Sequence, residues 1–192
     1  MYLLNYQFTH DIDWFCAIND KPVHLASNGG KLPRLSYTIK DLVKLQHSVA
    51  NMSYSFECAV NTRYLESYLQ HGEFYDNLDN LSAEEFREML PQHFDYVNET
   101  AELSRSVLLY SWSFIEMAKR GFFSFDRDER TNSYHLVAWP KRFDMSVFKR
   151  DVFQLLKQYH ACCFPPVHAD YMIDIPECIM FNVDSHCHLN IE

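Results

Sequence analysis

The sequence predicts an α+β fold in which a largely antiparallel sheet, built from N-terminal and C-terminal hairpins, packs around a long central helix, residues 92–120. Both ends of the chain show the alternating apolar and polar residues of strands, whereas the middle shows apolar residues spaced three and four apart, as in helices. No internal repeat or low-complexity linker divides the 192 residues. We therefore expect a single α+β domain over residues 1–192.

Composition favours a soluble protein with an aromatic-rich interior. Apolar residues make up 47% of the chain and charged residues 22%, which is ordinary for a globular domain. Aromatic residues reach 16%, so we expect large rings to fill much of the core. The sequence lacks both an apolar run of about 18 residues and the basic start of a signal peptide. These features predict a cytoplasmic protein whose six cysteines are thiols.

The N-terminal third reads as two hairpins followed by helices. Alternation predicts strands over 2–8 and 12–18, and Pro22 opens a third strand. Thr38 is a suitable cap for a helix that continues to Ala50. Alternation over 52–60 predicts another strand, and Thr62 is expected to cap a short helix through Leu69.

The central helix carries the clearest helical signals. Ser82 and Glu85 form a capping box for the helix before it, and Pro91 suits the first turn of the helix itself. From Val107 to Ala118 apolar residues surround the whole circumference, which predicts an enclosed helix. Gly121 suits the left-handed position that follows a helix end.

Strands return after the central helix. Alternation predicts a hairpin with strands around 123–125 and 134–138, joined by a polar loop. Asp144 is expected to cap an amphipathic helix that ends near Tyr159. Segments 171–175 and 178–183 read as closing strands.

One candidate binding surface is the rim of the N-terminal hairpins. Two of the four glycines stand side by side at 29–30, which indicates either a tight turn or a close approach by a ligand. Loops on a rigid sheet are common places for binding groups. Asp11 and Asp13 share a strand face, a geometry that could serve acid–base or metal chemistry; the alternative is the solvated face of a hairpin. The rim comprises His10, Asp11, His24, Ser27, Asn28, Gly29, Gly30 and Lys31.

A second candidate is a zinc site in the C-terminal segment. The expected ligands are Cys162, His168, His186 and His188, because zinc prefers thiolates and imidazoles. The two last histidines would point to the same face of a strand. The segment has no C-x₂-C pair, however, and its spacing fits no standard zinc finger. Scattered cysteines and histidines without a metal are the alternative interpretation.

A short resemblance also involves these histidines. The run VDSHCHL at 183–189 resembles the metal-binding opening of TatD-type metal-dependent DNases and their amidohydrolase relatives. The resemblance implies that His186 and His188 would hold the catalytic metal. It covers seven of 192 residues, and in that family a barrel of about 250 residues follows the motif. We therefore do not carry the activity over to this chain.

Charge bears on the partner. The net charge is −9, which suits a basic protein partner and disfavours nucleic acid. The most basic stretch, 119–150, is a modest patch. With no catalytic motif, we expect a non-catalytic cytoplasmic protein-interaction or regulatory module. The alternative is a zinc-dependent enzyme or zinc-stabilised domain.

Overall fold

A computed structural model describes residues 12–18, 21–28, 39–69, 82, 84–85, 88, 103–128, 133–158, 180–183 and 189–191. Seven strands lie in these ranges: β1 (Asp13–Ile18), β2 (Lys21–Ala26), β3 (Cys58–Val60), β4 (Phe123–Asp128), β5 (Ser133–Pro140), β6 (Met180–Val183) and β7 (Leu189–Ile191). The longer helices of the same ranges are α1 (Ile39–Ala50), α2 (Thr62–Leu69), α3 (Arg105–Lys119) and α4 (Arg150–Gln158).

The strands form one mixed sheet, so the prediction of a largely antiparallel sheet is corrected. The strand order is β1-β2-β4-β5-β6-β7, and β3 pairs with β5 beside β6. Strands β2 and β4 run parallel, with His24 opposite Ser124. Parallel neighbours need a long crossover, and here all the described helices except α4 lie between β2 and β4 in the sequence.

The long central helix is corrected as well. Helix α3 begins at Arg105, because Ser104 has extended backbone (φ −62°, ψ 155°) and its hydroxyl accepts a bond from the Val107 N–H. A predicted helix through 104 is therefore wrong, while residues 92–102 lie outside the described ranges. The enclosure of the helix is confirmed, since no residue of α3 is exposed.

The end of α3 follows the predicted glycine signal. Gly121 has φ +100°, its N–H donates to the Ala118 carbonyl at 2.9 Å, and the Phe122 N–H donates to the Met117 carbonyl at 3.0 Å. These two bonds are the Schellman arrangement, which satisfies carbonyls left unpaired at a helix end.

Other local predictions are confirmed or adjusted. Helices α1 and α2 and the β4–β5 hairpin occur where the patterns place them. The cap of α2 is Asn61 rather than Thr62, because the Asn61 side chain accepts from the Tyr64 N–H at 3.2 Å. The strand expected over 52–60 is limited to β3. Asp144 caps a turn through the Ser146 N–H at 2.8 Å, and α4 starts only at Arg150.

Two expected strands and the loop between β4 and β5 lie outside the described ranges, and a third expected strand is partly described. The segments 2–8 and 171–175 lie outside the described ranges, as do the loop residues 129–132. Strand β6 covers the last part of the segment predicted over 178–183.

The capping box is confirmed, since Ser82 and Glu85 bond each other's backbone N–H groups at 2.8 and 3.2 Å.

Both faces of the central strands are buried. On one face α3 packs over Ala26 and Ala138, while α1 and α4 pack over Phe15. The opposite face presents residues that are at most 2% exposed: Trp14, Cys16, Val23, Leu25, Phe123, Phe125, Tyr134 and Leu136. Within the part of the chain that the structure describes, no helix has the length and apolarity needed to cross a membrane.

Candidate functional site

Three neighbouring strands bring Asp13, His24 and Ser124 together beneath the helices. The His24 Nδ1 atom lies 2.6 Å from the Ser124 Oγ atom, and the His24 Nε2 atom lies 3.1 Å from Asp13 Oδ1. With its proton on Nε2, the ring faces the carboxylate with a donor and accepts from the serine hydroxyl. The strand register causes this meeting, since His24 lies directly opposite Ser124.

Exposure differs sharply along this polar chain. Ser124 is 0% exposed and His24 is 2% exposed, whereas the Asp13 side chain is 48% exposed. Burial raises the pKa of Asp13, but the interaction with His24 outweighs burial, so the pKa lies below its ordinary value of 3.8. Of the three polar side chains, Asp13 is therefore the one that reaches solvent, and it remains ionised at neutral pH.

A second polar pair, in which Asp126 is buried and Tyr110 is half-buried, lies on the same face of the sheet. The Tyr110 hydroxyl of α3 donates to the carboxylate of Asp126 on β4. Burial, followed by the negative charge of Asp126, raises the pKa of Tyr110 far above its ordinary value. Tyr110 also stacks on Phe114, whose ring centroid lies 6.0 Å from that of His24. Rings thus fill the space between the two polar groups.

The Asp13–His24–Ser124 arrangement shares residue types with the triad of serine hydrolases, but not its access. Such a triad needs a serine oxygen that reaches a substrate and a nearby oxyanion hole. Ser124 is completely buried under α3, in the middle of the sheet. What this arrangement can do is to satisfy Ser124 and the Nδ1 atom of His24, to hold the Nε2 atom at ion-pair distance from Asp13, and so to join β1, β2 and β4.

Of the predicted rim residues, the structure describes three. His24 is buried in the chain just described. Ser27 is buried and closes the hairpin, because its hydroxyl accepts from the Ile12 N–H at 2.9 Å. Asn28 is half-buried, has φ 44° and donates to the Arg127 carbonyl at 3.4 Å. His10, Asp11, Gly29, Gly30 and Lys31 lie outside the described ranges, so a binding rim stays a prediction.

The predicted zinc ligands cannot be placed. Cys162, His168, His186 and His188 all lie outside the described ranges, and the zinc alternative stays a prediction. Elsewhere, in the part of the chain that the structure describes, no three histidine, cysteine, aspartate or glutamate side chains cluster as metal ligands would.

Sequence reasoning missed Ser124, Asp126 and Tyr110. Ser124 and Asp126 alternate with Phe123 and Phe125, a pattern that normally places polar residues in solvent. Here both faces of β4 are covered, so the alternation separates a polar buried face from an apolar buried face. A single sequence offers no signal for this difference, because periodicity within β4 does not show that α3, which ends four residues before the strand, folds back over its polar side.

A surface of a different kind lies on the outer side of α1 and α4. We call residues 39–55 and 141–158 the α1–α4 layer; its inner side includes Leu45, Val49, Val152 and Leu156 in one buried cluster. The large apolar side chains that are exposed, among the described residues, are Val43 (58%), Tyr54 (45%) and Val147 (50%). All three belong to this layer.

Tyr54 is held in place at the edge of the layer. Its hydroxyl donates to Glu116 Oε1 at 2.9 Å, and the Arg120 guanidinium lies 4.5 Å from its ring centroid. Burial and then the bond to Glu116 raise the pKa of Tyr54. The layer therefore offers an ordered aromatic ring to solvent rather than a freely rotating one.

Comparison of the chain with protein-family models, with curated proteins and with solved structures finds no match. Function must accordingly be argued from the geometry of this chain alone.

Proposed function

We propose that the protein is a non-catalytic cytoplasmic module that binds another protein, and that the α1–α4 layer is its contact surface. One observation carries this proposal: the exposed large apolar side chains of the described residues all belong to this layer. Single exposed apolar residues are common, whereas exposed apolar residues grouped on neighbouring segments, as α1 and α4 with their flanking residues are, suit an interaction site.

The buried polar groups support the non-catalytic part of the proposal. His24 and Ser124 are hydrogen-bonded to each other, and Ser124 has no exposed surface. A hydrolase built on this serine would need α3 to leave the sheet, which would expose the core around Ile115 and Ala118. Exposing such side chains to water costs about 1.5–3 kcal/mol for each large aliphatic group.

The test compares binding and serine reactivity in one set of variants. Tagged wild-type protein, Val43→Ser/Val147→Ser and the control Glu66→Ser, an exposed residue of α2 outside the layer, are purified from the native cell. We expect a protein partner to accompany wild type and control but not the double variant. Titration calorimetry with the purified partner should show an affinity loss of at least tenfold for the double variant.

A second measurement addresses catalysis. The folded protein and its Ser124→Ala variant are treated with a fluorophosphonate, which labels activated serines. We expect no labelling and unchanged partner binding by Ser124→Ala. Labelling of Ser124 in the folded protein, absence of any co-purifying protein, or full binding by the Val43→Ser/Val147→Ser variant would each contradict the proposal.

A further inference from the structure

Charge is segregated on the described surface. Six of its seven exposed lysines and arginines lie on the α1–α4 layer: Lys40, Lys44, Lys141, Arg142, Lys149 and Arg150. Of the seven acids that are exposed as whole residues, two lie on the layer, Asp144 and Asp151, while Asp41 within it and Asp13 beside it are half-buried. The other five are Glu57, Glu66, Glu84, Glu85 and Glu88, and Glu57 marks the border because its carbonyl accepts from the Lys141 N–H at 2.9 Å.

This segregation stands out because the whole chain has a net charge of −9. A basic surface on an acidic protein creates a directional field, which attracts an anionic partner to one side and repels it from the others. The overall charge predicted a basic partner, but the layer that carries the exposed apolar residues has the opposite sign.

Helix α1 shows how the charged and apolar groups are combined. Lys40, Val43, Lys44 and His47 follow the i, i+3, i+4, i+7 spacing of one helix face, and all four are exposed. The opposite face is fixed, since Leu45 and Val49 are buried and the Gln46 side chain donates to the Asp13 carbonyl at 3.0 Å. An apolar contact is thus flanked by cations on a rigid support.

Helix α4 extends the same surface. It packs beside α1 through Val152 and Leu156 in the shared cluster, and Lys149, Arg150 and Gln154 are exposed. Asp151 offsets part of this charge, because its carboxylate lies 3.8 Å from the Lys149 ammonium. Val147 lies just before the helix and adds a second exposed aliphatic group.

From this arrangement we propose that the α1–α4 layer binds an acidic segment of a partner protein, with Val43 and Val147 contacting aliphatic side chains of that segment. The inference rests on the proposed function and names the chemistry of its partner. Aliphatic anchors between lysines suit a peptide with carboxylates and apolar residues. Single-stranded nucleic acid stacks successive bases on several aromatic rings, whereas Tyr54 is the one exposed aromatic side chain in the described part of this layer, and Arg120 lies against its ring.

The test uses a fluorescein-labelled 20-residue polyglutamate as the acidic probe, with fluorescence anisotropy as the readout. Polyuridylate of equal length and phosphatidylserine-containing vesicles are the competing probes. The variants are Lys44→Glu and Lys40→Glu/Lys44→Glu. Arg63→Glu is the matched control for Lys44→Glu, because it makes the same charge change at the exposed cation of the described residues outside the layer. Circular dichroism verifies that each variant is folded.

We expect wild type to bind polyglutamate in low salt, with affinity falling as salt screens the charges. Lys40→Glu/Lys44→Glu should weaken binding at least tenfold, Lys44→Glu about threefold, and Arg63→Glu less than twofold. No polyglutamate binding, an equal loss in Arg63→Glu, or tighter binding of polyuridylate or vesicles would overturn the inference. If any of these outcomes occurs while the Val43→Ser/Val147→Ser variant still fails to bind the native partner, the proposed function stands and only the acidic character of the partner is refuted.

Discussion

Replacing Gly121 by alanine should destabilise the protein strongly, and the structure gives the size of the effect. The residue has φ +100°, a conformation that costs an L-amino acid about 1–2 kcal/mol. An added Cβ would lie 2.7 Å from Phe148 Cδ2 and 2.7 Å from Phe56 Cε2. Phe148 also packs against the rings of Phe122 and Phe153, so it has little room to move. Overpacking of this kind costs about 1–3 kcal/mol more.

Together these terms predict a loss of about 2–5 kcal/mol, a large part of the stability of an ordinary domain. A loss of about 3 kcal/mol corresponds to a fall in Tm of about 6–12 °C for a chain of this size. Urea denaturation of Gly121→Ala should show a lower midpoint with an unchanged slope. In a double-mutant cycle, Phe56→Leu should relieve about 1 kcal/mol of the loss, because it removes one clashing ring. A Tm within about 1 °C of wild type would refute both the backbone and the packing argument.

Three further predictions use other buried groups. Leu108→Asp should cost more than about 3 kcal/mol, because Leu108 is buried in the cluster around α3; a purified variant with the wild-type Tm would refute this enclosure. The pKa of Asp13 is lowered, so the stability contributed by its ionised carboxylate is complete above pH 3.8 and is lost as the pH falls through the folded-state pKa. The difference in unfolding free energy between wild type and Asp13→Asn, measured by denaturation at a series of pH values, should therefore close below pH 3.8. Cys16 is buried and burial raises its pKa, so Ellman's reagent should react with it only after denaturation. In the denatured protein all six cysteines should react without reductant, and a pair that stays blocked would contradict the cytoplasmic prediction.

Elements that depend on neighbouring residues could be predicted from the sequence. Helices α1 and α2, the β4–β5 hairpin and the glycine after α3 each follow from spacing, capping or backbone preference within a few residues. The residues at which the helices begin are harder to predict. Asp144 has the residue type of a helix cap, but its carboxylate bonds the Ser146 N–H in a turn six residues before α4 begins. The same side chain stabilises both structures, so the sequence does not separate them.

The mixed sheet could not be predicted because it pairs distant strands, and the buried polar face could not be predicted because it depends on how α3 folds back over β4. His24 and Ser124 are 100 positions apart, and no local pattern indicates that β2 and β4 are neighbours. Alternation places Ser124 and Asp126 on one side of a strand, but only α3 makes that side an interior. The same limit applies to the α1–α4 layer, whose charges come from two separate segments. The net charge of the whole chain therefore does not give the sign of the charge on this surface.

The buried polar groups offer a physical reason for the register of the parallel pair. A shift of β4 by one residue against β2 would turn Ser124 to the apolar face and place Phe123 or Phe125 among the polar groups. His24 and Ser124 would then each lose a bond inside the protein, at about 1–3 kcal/mol for each buried group left unsatisfied. Tyr110 would lose its acceptor Asp126 in the same shift, since Asp126 belongs to β4. An antiparallel hairpin such as β1–β2 has its register limited by a short turn, but β2 and β4 have no such constraint. Polar side chains that bond only in one register supply the missing specificity. This role accounts for a histidine, a serine and an aspartate inside the sheet without requiring that any of them meet a substrate.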